Sequence, residues 1–190
     1  QTAAALRMAK RNGLRIPVVY NTGSYEKPET LKLMEGLVDI YLPDLKYGSA
    51  EPGKRYSNAP DYFETAASAI AEMVRQVPEA VFEEGEEGMA LMKRGVIVRH
   101  LVLPGGSMDS RRVLRFLHET YGNRIYISIM NQYTPMRGLE GYPELNRRVG
   151  RRAYDRLIDF AIGLGIENGF IQEGGTAKES FVPLWDGTGL

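Results

Sequence analysis

Cysteine occurs nowhere in the 190 residues. That absence excludes disulfides, thiolate metal sites and a cysteine nucleophile together. Histidine occurs only at His100 and His118, too few for a histidine-based zinc centre, and no metal ligand is assigned within the chain. Neither sign of charge predominates. The 24 Lys and Arg balance 24 Asp and Glu, whereas a nucleic-acid partner favours a basic stripe. No apolar run approaches the ~18 residues of a membrane span, and no signal peptide opens the sequence. We expect no nucleic acid and no membrane among the partners, and a cytoplasmic protein. A Walker loop, a G-x-G-x-x-G turn and a G-x-S-x-G elbow are also missing.

What is present reads as one domain spanning 1–190, with 43% hydrophobic residues to build a core. The opening stretch QTAAALRMAKRNGL is apolar-periodic and lacks an initiator Met or a capping box. It reads as a helix already in progress, so we expect a cut within or just before it. Strands are expected over 16–21, 38–45, 95–103, 125–131 and 168–172. Helices are expected over 28–36, 61–77, 109–120 and Arg151–Leu164. The stretch 47–60, rich in Gly, Ser and Pro, reads as a loop, and 83–88 (EEGEEG) as an acidic loop or hairpin tip.

Strands alternating with helices imply βαβ units on a parallel sheet. Covered on both faces, such strands read as apolar runs. Five strands cannot close an eight-stranded barrel, which leaves part of a barrel or an open doubly wound sheet. In both, chemistry gathers at the C-terminal strand ends.

Those ends are polar. Asp44 and Lys46 are two apart at the end of VDIYLPDL and so share one face. They form a surface ion pair, pair with each other, or grip a zwitterion such as an amino acid. Arg99 and His100 sit adjacent in GVIVRHLVL and face opposite ways. An inward Arg99 needs a carboxylate, from Asp44 or a ligand, and His100 is then a satisfied core histidine. Asn21-Thr22-Gly23-Ser24, Gln132-Tyr133-Thr134 and Gln172-Glu173-Gly174 end three further strands with donors and acceptors. The loop LPGGSMD leads a strand into a helix, and its ordinary reading is a turn with Asp109 as N-cap. His118, in RRVLRFLHET, faces solvent or packs.

The stretches VVYNTGSYE, VDIYLPDLKY, YSNAPDY, LMKRGVIVRHLVLPG, YISIMNQYTP, YPELNRR and ENGFIQEG, in this order, resemble the radical S-adenosylmethionine (SAM) proteins related to pyruvate formate-lyase activating enzyme, in an uncharacterised activating-enzyme branch. The resemblance implies an α/β fold, a partial (β/α) barrel of the TIM-barrel-like radical SAM type. This sequence supplies its C-terminal portion, from about the third strand. A C-x₃-C-x₂-C loop outside the sequence would ligate a 4Fe–4S cluster. The cofactors implied are SAM and that cluster, and the reaction is that of a metal-binding oxidoreductase cleaving SAM to a 5′-deoxyadenosyl radical for hydrogen abstraction. The partners implied are an electron donor and a protein substrate that receives a glycyl radical. By motif, Asp44 and Lys46 match an Asp-x-Lys at the SAM site, and Arg99 a strand-borne Arg near SAM. Thr22 falls in a motif associated with a cation near the SAM carboxylate, and Asn21 stands where that motif has Asp. Gln132 or Tyr133 falls where the activating enzyme has a His near the adenosine end. The catalytic residue stays unassigned, and the sequence alone would be inactive.

Two other classes compete. One is a metal-independent barrel lyase or aldolase using Lys46 as base or Schiff-base former. The other is a noncatalytic binding module whose polar mouth holds a peptide. A strand edge left open near Ile16 is expected to drive self-association.

Overall fold

The structure, a computed structural model, describes residues 1–85, 88–136 and 138–171. Along the chain lie α1 (Thr2–Arg11), β1 (Val19–Thr22), α2 (Pro28–Lys32), β2 (Ile40–Pro43), α3 (Ala50–Ser57), α4 (Tyr62–Gln76), β3 (Val81–Glu84) and β4 (Ala90–Leu101). There follow α5 (Ser107–Tyr121), β5 (Tyr126–Met130), α6 (Arg151–Leu164) and β6 (Gly169–Ile171). The sheet order is β1-β2-β4-β5-β6, all parallel, with β3 antiparallel on the early part of β4.

The parallel strands therefore step across the sheet in one direction. With right-handed crossovers, an unreversed order puts every helix on the same face, whereas a doubly wound sheet reverses and uses both. Burial agrees. Tyr41, Leu45, Val96, Val98, Ile127 and Ile129 are buried and join one core with Ala66, Ile70, Met73, Leu114, Leu117 and Leu157 of the helices. Truncating one such leucine to alanine costs about 2–5 kcal/mol. Their neighbours Leu42, Ile97, Leu101 and Tyr126 point the other way, are only partly buried, and take no part in that core.

The α/β fold of parallel strands alternating with helices is thus present as an open sheet with the one-directional winding of a barrel. The expectation that both faces are covered is corrected. The inner face carries no helix among the described residues. Its strands still read as apolar runs because a curved sheet presents apolar side chains to its hollow as well as to its helices. At the N-terminal end of that hollow the β3–β4 hairpin lays Phe82 on Tyr126, 5.4 Å between ring centres, and Tyr126 stacks on Phe170 at 5.5 Å.

Three further readings change. The stretch 47–60 contains a helix, α3, ended by Asn58 in the left-handed conformation (φ 50°). The expected hairpin exists, but β3 is a true strand and β4 starts at Ala90, so β4 is a twelve-residue strand serving both the hairpin and the parallel sheet. Helix α5 starts at Ser107 with Gly106 as its cap, so Asp109 lies inside the first turn. The Asp109 carboxylate accepts the Gly48 amide (2.8 Å) and the Ser49 hydroxyl (2.7 Å), tying the chain after β2 to α5. Gln172-Glu173-Gly174 lies outside the described residues. No helix among the described residues is long and apolar enough to cross a membrane.

Candidate functional site

Parallel register brings the polar strand ends together. Asp44 stands opposite Arg99 in an isolated bridge, and Asn21 lies on the same inner face, opposite Leu42. Arg99 Nε donates to Asp44 Oδ1 (2.8 Å), and its Nη2 lies 2.7 Å from the same oxygen. Nη2 also donates to Asn21 Oδ1 at 2.7 Å. One guanidinium thus ties three strands, as its fixed fork of donors permits. Both contacts fall on Oδ1, so among the described residues Asp44 Oδ2 keeps acceptor capacity.

Lys46 is exposed and has no carboxylate within ion-pairing reach among the described residues. Its Nζ lies over Gly23, 3.6 Å from where a Cβ on that residue would stand. Asp44 therefore pairs with Arg99 and, among the described residues, leaves the Lys46 ammonium at the mouth without a counter-charge.

Asp44, Lys46, Arg99, Leu101, Met130 and Gln132 line a cleft of about 300 Å³. A second cleft of about 270 Å³ adjoins it through Lys46, Tyr47, Leu101 and Leu103 and runs between α3 and the start of α5. Its outer wall includes Glu144, which accepts Arg55 Nε (2.6 Å) and the Tyr56 hydroxyl (2.9 Å). The Arg55 contact, foremost, holds the Glu144 carboxyl down to about 2.

Thr22 and Tyr133 sit at the rim in other roles, and His100 lies in the core. Thr22 donates its hydroxyl to Glu26 and accepts the Ser24 amide at 3.1 Å, shaping the turn after β1. The Tyr133 hydroxyl donates to the Leu145 carbonyl (2.9 Å), tying the chain after β5 to the turn at Pro143–Leu145, and burial raises its pKa. His100 faces the helices, 2% exposed. Because a carbonyl only accepts, its Nδ1 must carry the proton that bonds Leu45 O at 2.8 Å, and Nε2 then accepts the Ser110 hydroxyl at 2.8 Å. This neutral imidazole is fully satisfied, and burial lowers its pKa.

Sequence reasoning missed Tyr62 and Tyr47. Tyr62 opens α4 beneath the mouth and Tyr47 lines both clefts. The only sequence signal was the position of Tyr62 beside the helix-capping Asp61.

No family model matches the chain. Over 148 residues, 77% of this chain, it is 28% identical to an uncharacterized protein of Methanocaldococcus jannaschii. The match spans 38% of that relative, so the chain corresponds to about two fifths of its length. In fold it is similar to a solved domain of pyruvate-formate lyase-activating enzyme from Bacteroides vulgatus. The TM-score is 0.62 at 12% identity, covering 90% of this chain and 89% of that domain. At that identity the likeness is one of architecture.

Proposed function

We propose that this chain is the SAM-gripping part of a radical SAM enzyme related to pyruvate formate-lyase activating enzyme, in a protein whose cluster ligands lie outside this sequence. The observation that carries the reading is the trio of Asp44, Arg99 and Lys46 at the C-terminal strand ends, with Lys46 free of an ion pair among the described residues. A free amino acid head group carries one cation and one anion on a single carbon. The residues fit it: the Lys46 ammonium complements the carboxylate, and the open Oδ2 of Asp44 accepts from the amino group. Arg99 holds the Asp44 carboxylate aimed, and Gln132 and Met130 line the cleft beyond for the nucleoside end. The residues do not fit an iron–sulfur cluster, because a sequence without cysteine offers no thiolate. The fold likeness to an activating-enzyme domain supports the same reading. A partner bearing a backbone glycine and an electron donor complete it.

The test is anaerobic reconstitution of the longer protein encoded by the extended reading frame. Iron and sulfide uptake, an EPR signal that SAM perturbs, and reductive release of 5′-deoxyadenosine are the expected results. Lys46→Ala and Asp44→Asn are expected to weaken SAM binding by roughly tenfold or more each, the scale of one lost charge-assisted contact. A protein that takes up no cluster and ignores SAM overturns the reading.

A further inference from the structure

We infer that Tyr62 is a positioning residue whose hydroxyl fixes the direction in which Lys46 leaves the sheet. The inference deepens the proposed function, since it assumes that Lys46 grips the ligand.

Pairing of β1 with β2 ends at Thr22 and Pro43, and the Asp44 amide makes the last ladder bond, to the Thr22 carbonyl at 2.9 Å. Beyond that point the two chains part. The carbonyls of Gly23 and Asp44 and the amide of Lys46 have no ladder partner there among the described residues. One phenol serves all three. The Tyr62 hydroxyl shares its single proton between the Gly23 carbonyl (3.0 Å) and the Asp44 carbonyl (3.0 Å) and accepts the Lys46 amide (3.1 Å).

The phenol is itself held firmly. Tyr62 is 4% exposed, stands at the first position of α4, meets Tyr47 edge-on at 5.2 Å and stacks on Tyr25 at 6.0 Å. Tyr25 in turn donates to Asp61 at 2.7 Å, next to Tyr62 in the chain. Burial raises the phenol pKa, so the proton it donates is retained. On the other side of the peptide, His100 holds the Leu45 carbonyl at 2.8 Å. Both polar groups of the Leu45–Lys46 peptide, its carbonyl and its amide, are thus held by buried side chains. The Lys46 ammonium has no ion-pair partner among the described residues. The placement of that ammonium is therefore set from its backbone.

Tyr62→Phe keeps the ring and its packing and removes only the oxygen. A strand end that shifts by part of an ångström misplaces Lys46, with an expected loss of about tenfold in SAM affinity. Calorimetric titration of the reconstituted longer protein compares the unaltered form, Tyr62→Phe, Lys46→Ala and the double variant. Tyr62→Phe is expected to weaken binding alone and to add nothing in the Lys46→Ala background. A merely structural role would leave its effect undiminished there. Hydrogen exchange supplies a measurement independent of folding of the variant. In the unaltered protein the Lys46 amide is expected to be protected although it lies beyond the end of β2, and in Tyr62→Phe it opens while Val98 stays protected.

An unprotected Lys46 amide in the unaltered protein overturns the inference. So does Tyr62→Phe binding SAM like the unaltered protein while Lys46→Ala fails, or an effect that persists in the double variant. Should the unaltered protein not bind SAM, the proposed function falls, and Tyr62 is judged by exchange and by the acylation rate of Lys46 with an activated ester. A rate changed by the Phe variant then supports positioning, and an unchanged rate with unchanged protection defeats it.

Discussion

At the scale of single residues, the adjacent pair Arg99 and His100 shows how one strand serves two environments. Alternation sends Arg99 into the hollow, a quarter exposed, and His100 into the helix-covered core. Arg99 touches Asp44 and Asn21 at once, a span that depends on its fork. Arg99→Lys supplies one compact cation and cannot serve both. It is expected to lower unfolding free energy by about 1–2 kcal/mol in urea titrations. Asn21→Ala should then cost less in the Arg99→Lys background than alone, and strict additivity of the two changes would refute the shared contact. His100 makes a pH prediction with a definite sign. Its folded pKa lies below the ordinary 6.5, which the unfolded chain regains. Below that value the unfolded chain binds a proton that the folded one refuses, so stability is full above about pH 6.5 and falls as pH drops beneath it. His100→Gln should flatten the urea midpoint between about pH 7 and about pH 5, and equal slopes in both proteins would remove His100 as the cause.

At the scale of elements, α3 is the informative case. Its residues AEPGKRYS look like loop because Pro and Gly are poor helix formers. Pro52, however, falls in the first turn, where an amide has no intrahelical partner to lose. Gly53 is there for room: a Cβ on it would stand 2.5 Å from the Ala59 carbonyl oxygen. That oxygen belongs to the backbone of the turn into α4, and it accepts the Tyr62 amide at 3.2 Å. It cannot yield cheaply. Gly53→Ala, which would help an isolated helix, is expected to cost about 1–3 kcal/mol, measured by chemical denaturation. A stabilised variant would mean that the turn gives way freely. The alternation of strands and helices was legible because hydrophobic period is local. The Asp44–Lys46 and Arg99 positions were legible because polar residues interrupt apolar runs. The helix α3 was hidden because its glycine answers to a contact made six residues later. The Asp44–Arg99 pairing, fifty-five residues apart, was one of several options until strand register chose it. Tyr62 was invisible for the same reason, since its partners lie on β1's exit and β2's exit and share no spacing with it.

At the scale of the whole molecule, the sheet of the described residues has two ends and one uncovered face, and these bear on how the chain behaves in solution. Among the described residues β1 bonds only to β2, and β6 only to β5. The β1 end presents Ile16 at 71% exposure and Val19 at 52%, next to backbone groups with no strand beyond them among the described residues. Such an edge is a template for another strand. Val19 also lies on the inner face with Leu42 and Ile97, so a strand added at β1 gains ladder bonds and extends the apolar hollow together. The β6 end is a poorer template, three residues long and opened by a glycine. The 190-residue chain is therefore expected to self-associate through β1, with a sedimentation coefficient that rises with concentration. Val19→Lys puts a charge on that edge and should return the chain to a monomer, whereas Phe170→Lys on β6 should leave association intact. A chain that stays monomeric across a wide concentration range refutes the association itself. Equal rescue by both lysines would instead place the contact on the shared inner face, because Val19 and Phe170 both project from it.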